Sequence, residues 1–186
     1  MTMNRYLQYA LIAAVAGIAG TAGYFTSQVG DAGISPAPAV SAATTDALLA
    51  LTLPDTDGNM QPLAQWRDKV IVANFWATWC PPCRREIPDF SAASRAFGDL
   101  PVQFVGLSID SLDKVKAFQA EFDVPYPLLI ASADVLALAP GFGNAAQGLP
   151  FTVIIDRKGV ARHIKVGTLN QDELERRIRP LIDDKS

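Results

Sequence analysis

The sequence predicts an α/β domain with a mixed central sheet flanked by helices, preceded by a single membrane-spanning helix. Three observations predict it. Near-continuous apolar runs of β-forming residues, VIVANFW at 70–76 above all, alternate with segments of helical periodicity. Two further β-forming runs surround the turn Asp156-Arg157-Lys158-Gly159 and precede a last amphipathic segment. Residues 6–25 are apolar and carry no charge.

No charged residue lies between Arg5 and Asp31. The twenty residues 6–25 are mostly Ala, Leu, Ile, Val and Gly. As a helix at about 1.5 Å per residue they reach about 30 Å, one hydrocarbon core. Tyr6, Tyr9, Tyr24 and Phe25 stand near the two ends, where aromatic rings favour the interface. Arg5 precedes the run, so the positive-inside rule leaves the N-terminus in the cytoplasm and exports the chain beyond Phe25. The expected topology is therefore a single pass through the membrane, with the domain on the extracytoplasmic side. A cleaved signal peptide is the other reading. Its core is usually shorter, and the small-residue sites around 39–43 lie well downstream. Residues 30–45, GDAGISPAPAVSAATT, are small, proline-containing and aperiodic, which reads as a flexible linker. The expected organisation is an anchor or signal over 1–29, the linker over 30–45 and the α/β domain over 46–186.

Within that domain residues 47–53 read as a first short strand, and Asp55 to Asn59 as a turn dense in turn formers. Residues 63–67 carry Trp66 on a short helical turn. The run 70–76 suits a central strand buried on both faces. A helix comes next over about 80–97, with Gly98 just beyond it. Residues 102–109 form another buried strand. Ser111 caps a helix to about 122 that places Leu112, Val115 and Phe118 on one face. Then come a short strand at 126–130, a short helix at 134–139 ended by Pro140-Gly141, a strand at 151–155 and an edge strand at 160–166. A final helix over 171–182 has acidic residues first and arginines later, which suits its dipole. Strands separated by helices pair in parallel, and the closing hairpin adds antiparallel pairing.

Composition narrows the chemistry. Among 186 residues the net charge is −3 and no basic run occurs, so nucleic acid is not an expected partner. The chain has two cysteines, Cys80 and Cys83, and one histidine, His163, far from them in sequence. A disulfide scaffold uses more cysteines spread along the chain, and a structural zinc site usually needs four ligands. No metal or cofactor is expected.

Trp79-Cys80-Pro81-Pro82-Cys83 falls where a buried strand gives way to a helix. Prolines fit the first helical turn, which places Cys80 at the helix N-terminus, where partial positive charge favours a thiolate. Cys83 is three residues on, within reach of a disulfide. This pattern makes Cys80 the nucleophile and Cys83 the resolving thiol. A structural bridge closing so short a loop gains little chain entropy. A half metal site lacks further ligands, and spacing alone does not exclude a chance pair. Glu86, three residues past Cys83, lies on the same side of the helix. Partly buried beside two thiols, it has the properties of an acid/base group; a solvated carboxylate paired with Arg84 or Arg85 is the alternative. Leu149-Pro150 precedes a strand, and sequence alone gives no ground for a cis bond there.

Two segments carry a resemblance. Asn74 to Pro88 reads NFWATWCPPCRREIP, and Gly148 to Asp156 reads GLPFTVIID with a Gly159 turn after it. In that order they resemble the thioredoxin superfamily, and within it the membrane-anchored TlpA/ResA-like thiol–disulfide oxidoreductases, over about residues 48–182. The resemblance implies a thioredoxin fold with a helix-and-strand insert at 111–130. It implies a cis Pro150 facing Cys80, a Leu149 backbone that pairs with a substrate chain, and Glu86 as acid/base group. Trp79, Pro81 and Pro82 complete the expected substrate-facing surface. Cytoplasmic thioredoxins hold a buried aspartate where this chain has Asn74, which makes Glu86 the substitute. Phe151 departs from the small polar residues common after the proline, which would alter the substrate-facing surface. The implied activity is reduction of disulfides in extracytoplasmic proteins, for example in cytochrome c maturation or oxidase assembly, with a membrane electron donor restoring the dithiol. The implied location is the bacterial inner (cytoplasmic) membrane, with the domain facing the periplasm or extracytoplasmic side. An oxidant working through the same residues, or a thiol-based metal- or haem-linked binding protein, is the rival reading.

Overall fold

The computed structural model describes residues 40–183. The first element is a helix, α1 (Ala42–Leu49), and not the strand expected over 47–53. Ser41 caps it, its hydroxyl accepting from the Thr44 backbone N–H at 3.2 Å. Thr45, Leu48 and Leu49 come at helical spacing and bury one face, which overrides the β character of the residues after them. The helix begins inside the stretch read as linker. Strand β1 (Thr52–Pro54) then pairs antiparallel with β2 (Met60–Pro62). Asp55 closes the turn between them, one carboxylate oxygen accepting from the N–H groups of Asp57 and Asn59, each at 2.9 Å. A 3-10 turn, Leu63–Trp66, seats Leu63 and Trp66 in the core.

Five strands make the main sheet of the described residues, in the order β5-β4-β3-β6-β7. They are β3 (Val70–Trp76), β4 (Val102–Ser108), β5 (Leu128–Ile130), β6 (Phe151–Ile155) and β7 (Ala161–Val166). The β3, β4 and β5 strands are parallel, while β6 runs antiparallel to β3 and β7 to β6. All seven residues of β3 are buried, as its unbroken apolar run requires of a central strand covered on both faces. This is the thioredoxin-like α/β arrangement, with α3 (Leu112–Phe122) and β5 as the helix-strand pair that extends one edge.

Side chains alternate between two cores. One face of β3 gives Val70, Val72 and Trp76 to a core shared with α2 (Pro81–Ala96), α3 and α5 (Gln171–Asp183). Ile71, Ala73 and Phe75 enter the other core with α1, the 3-10 turn and α4 (Ala133–Leu136). Phe90, Phe97 and Phe104 of the first core are each at most 2% exposed. Each such side chain contributes about 2–3 kcal/mol of transfer free energy, enough to fix the depth of α2 against the sheet.

The expected spanning helix is corrected. No helix among the described residues is long and apolar enough to cross a membrane. The stretch 6–25 lies outside the described residues. The fold class of the described residues is the thioredoxin-like domain, with no membrane-spanning helix among them. The anchored branch, the membrane contact through an N-terminal helix, the membrane as a seat for partners and the single-pass inner-membrane location do not carry over from the sequence reading.

Candidate functional site

The parallel strands and their helices leave the site at the C-terminal end of β3. A turn at 77–80, closed by the Cys80 N–H on the Ala77 carbonyl at 3.2 Å, leads into α2. Cys80 is the N-cap of that helix and Pro81 and Pro82 are its first residues. Two sulfurs meet there: Cys80 and Cys83 form a disulfide with their Cα atoms 5.3 Å apart. The Cys83 backbone N–H also points at Cys80 Sγ, at 3.3 Å. That donor and the helix dipole favour a thiolate on Cys80 once the bridge is reduced. Cys80 is 4% exposed and Cys83 fully buried, while Trp79 stands out at 62%. The exposed Trp79 ring is thus the side chain next to the buried cysteine pair that solvent reaches most freely.

Two supports of this turn escaped the sequence reading. Thr78 donates its hydroxyl to Asp110 Oδ2, tying the turn to the end of β4. Arg84, read only as an ion-pair partner for Glu86, reaches back to the Thr78 carbonyl at 3.4 Å. Its guanidinium lies 5.0 and 4.9 Å from the ring centres of Phe118 and Phe122 on α3, so the helix-strand pair braces the first turn of α2. The 84, 118, 122 spacing spans two helices, which no local pattern reveals.

Glu86 is 2% exposed and faces the sheet. Its Oε1 accepts from Asn74 Nδ2 at 2.8 Å, and its Oε2 from the backbone N–H of Leu169 at 3.1 Å. Asn74 Nδ2 also donates to Thr152 Oγ1 at 3.1 Å. Burial pushes the Glu86 carboxyl up to about 7, against the pull of those two donors and with a small further push from Asp89. Asn74 is thus not merely the site of a missing carboxylate; it holds the glutamate. An apolar strand interrupted by one Asn was the available signal.

The Leu149–Pro150 peptide is cis. Residue 151 pairs with residue 75, so Pro150 sits at the end of the sheet from which the Cys80 turn leaves. Asn144 holds the preceding loop, its side chain bonding both the N–H and the carbonyl of Gly148 at 3.0 Å. The Pro150 carbonyl is taken by the Gly167 N–H at 2.8 Å. Phe151 is buried against Phe75 and Phe142, with ring centres at 5.2 and 6.3 Å, so it does not alter a substrate-facing surface. Among the described residues no group of three or more His, Cys, Asp or Glu side chains is placed to hold a metal ion.

Comparison with known proteins agrees with this geometry. The Redoxin family profile matches residues 32–178. The chain is 31% identical to the thioredoxin-like protein YneN of Bacillus subtilis over 131 residues, 68% of this chain and 74% of that one. It is 26% identical to the thiol-disulfide oxidoreductase ResA of Geobacillus kaustophilus over 182 residues, 97% and 95% of the two chains. Among solved structures, a thiol:disulfide interchange protein of Chlorobium tepidum superposes with a TM-score of 0.65 at 27% identity, covering 71% of this chain and 92% of its own. With a disulfide at the helix N-terminus and relatives of this kind, the protein is an enzyme, a thiol–disulfide oxidoreductase acting through Cys80 and Cys83. The profile match over more than half of the chain establishes that the chain belongs to the Redoxin family.

Proposed function

We propose that the dithiol form of this enzyme reduces disulfides in extracytoplasmic proteins, with cytochrome c maturation or oxidase assembly as the setting. The observation that carries the acid/base part of this reading is Glu86, a carboxyl buried on the helix that bears Cys83 and titrating near neutrality. The direction and the setting rest on the resemblance of the two sequence segments to ResA-like thiol–disulfide oxidoreductases.

The Cys80 thiolate attacks one sulfur of a substrate disulfide. The substrate S–S bond breaks, its second sulfur leaves as a thiolate and takes a proton, and Cys80 is left in a mixed disulfide. Cys83 is buried and does not meet the substrate directly. It gives its proton to ionised Glu86 and attacks Cys80 Sγ. The Cys80–Cys83 bond forms, the mixed disulfide breaks, and the remaining substrate sulfur departs and is protonated. Two electrons pass from the dithiol to the substrate, and an external donor must return them. Trp79, Pro81 and Pro82 form the contact surface around Cys80. Leu149, whose backbone N–H and carbonyl bond no other described residue, pairs with the bound chain next to Pro150.

The test is capture in the native host with Cys83→Ser. The expected result is a reducible adduct through Cys80 to a protein that carries a disulfide in its mature or precursor form. A reduction potential near those of strong oxidants, about −120 mV, would overturn the reductive direction.

A further inference from the structure

Asn74 sits 1% exposed in the middle of the sheet. Both hydrogens of its amide are spent, on Glu86 Oε1 at 2.8 Å and on Thr152 Oγ1 at 3.1 Å. Its carbonyl Oδ1 is buried and has no hydrogen-bond partner among the described residues. Such an orphan acceptor costs about 1–3 kcal/mol and calls for a reason.

A carboxamide has the same shape at both ends. Turning it by half a revolution about Cβ–Cγ exchanges oxygen and nitrogen and leaves the shape unchanged. The amide hydrogens then take the partnerless place of Oδ1, so each arrangement leaves one end of the amide unbonded and the partners at the other end decide between them. After that turn Oδ1 faces the two oxygens that Nδ2 faced. Against ionised Glu86 the new arrangement is repulsive, because two acceptors meet. Against protonated Glu86 it is favourable, because the carboxyl O–H donates to Oδ1. Thr152 serves both arrangements: its hydroxyl accepts in the first and donates in the second. The Leu169 N–H bonds Oε2 in either.

We propose that Asn74 is a positioning residue whose side-chain amide reverses as Glu86 gains or loses its proton, with the Thr152 hydroxyl reversing alongside it. Each protonation state of the buried carboxyl then has a partner, and neither is locked in. A lysine in place of Asn74 would clamp the ionised form. An aspartate would force the two carboxyls to share a proton. The other groups facing Glu86 leave it free to titrate. Asp89 lies one turn along α2, and Tyr126 presents a buried phenol from the loop before β5. Arg85, Asp89, Thr168, Asn170 and Glu173 line a cavity of about 240 Å³ beside the carboxyl, a route by which its proton exchanges with solvent. The value of this device to turnover rests on the reading of Glu86 as proton acceptor for Cys83; the reversal itself does not.

The test tracks two signals in the oxidised protein across the pH range. One is the infrared band of the protonated Glu86 carboxyl, identified by its loss in Glu86→Gln. The other is the side-chain amide resonance of Asn74 in the nuclear magnetic resonance spectrum. Both are expected to titrate with one midpoint. In Asn74→Leu the midpoint rises by about one pH unit or more, because the ionised form loses its charge-assisted donor. In Thr152→Val it moves by less than about half a unit, since one bond is lost in each state. An Asn74 resonance that stays fixed while Glu86 titrates overturns the proposal without need of any variant, and so does a Thr152→Val shift as large as that of Asn74→Leu. The pH profile of mixed-disulfide resolution separates the two readings. If Glu86→Gln leaves that profile unchanged, the proton-acceptor role fails while the spectra still decide the reversal.

Discussion

The backbone N–H of Leu169 lies 3.1 Å from Oε2 of Glu86, which joins α2 to the turn that begins α5. The link is long-range in sequence, so it exists only in the folded chain and couples the protonation of Glu86 to folding. Burial lifts that carboxyl from its ordinary 4.5 to about 7. The unfolded chain therefore binds fewer protons than the folded one between those values. The stability Glu86 contributes as a neutral group is fully present below about 4.5 and is lost as pH rises through about 7, a change of about 3 kcal/mol. Glu86→Gln should remove this slope, so that urea midpoints of variant and parent diverge at pH 8 far more than at pH 5. Asp156 acts in the opposite sense. Burial pushes its carboxyl up, but the Val160 N–H, Arg162 and the Lys158 N–H together hold it below its ordinary value. Its contribution is present above 3.8 and lost as pH falls through the lower folded value. Maximum stability is thus expected at mildly acidic pH.

Cys80 is 4% exposed and Cys83 fully buried. In the reduced protein an alkylating reagent at limiting concentration should modify Cys80 at least about tenfold faster, and mass spectrometry of the peptides reads the ratio. Cys83→Ser should accumulate a mixed disulfide with a model substrate, and Cys80→Ser should form none. Equal labelling of the two cysteines would contradict their division into nucleophile and resolver.

The parts of the fold legible in the sequence were those with a local cause. The run Val70 to Trp76 has no polar break but Asn74, and it is the fully buried central strand. The two prolines after Cys80 mark a helix start, and they occupy it. Residues 47–53 misled because Leu48, Leu49, Leu51 and Leu53 mimic a strand; the deciding signal was Ser41 upstream, inside a stretch that reads as linker. The surroundings of Glu86 were not legible, for a different reason. Asn74, Thr152 and Leu169 come from three distant segments and meet only through the register of β3 with β6 and the return of the chain into α5.

Arg84 joins the reactive turn to α3. Its charge lies over Phe118 and Phe122, its Nη1 donates to the Thr78 carbonyl, and its Nη2 is 3.5 Å from Glu121. Arg84→Gln keeps a donor but loses the cation. Stability should fall by about 1 kcal/mol, the sum of two partly exposed ring contacts. The Cys80 thiol, one helical turn away, should titrate at higher pH, as read by thiolate absorbance. An unchanged titration would mean that the helix N-terminus alone sets the sulfur's acidity.

Gly106 offers the sharpest test of packing near the site. It pairs with Asn74 across β3 and β4, so a side chain there would stand on the same face as the Glu86 cluster. A Cβ at that position would lie 2.5 Å from Leu128 Cδ2 and 2.9 Å from Trp76 Nε1. Trp76 has no room to retreat: it is fully buried, and its ring packs on Phe118 with centres 4.7 Å apart. The requirement for glycine is therefore spatial. Gly106→Ala should cost about 1–3 kcal/mol, the range for overpacking a filled core. The strain should pass from Trp76 through Phe118 to Arg84, so the Cys80 titration should shift in the same direction as in Arg84→Gln, by a smaller amount. Denaturant unfolding and thiolate absorbance on the same variant check both effects. A loss of stability with the titration unchanged would confine the damage to the core, and a variant as stable as its parent would show that Trp76 can move.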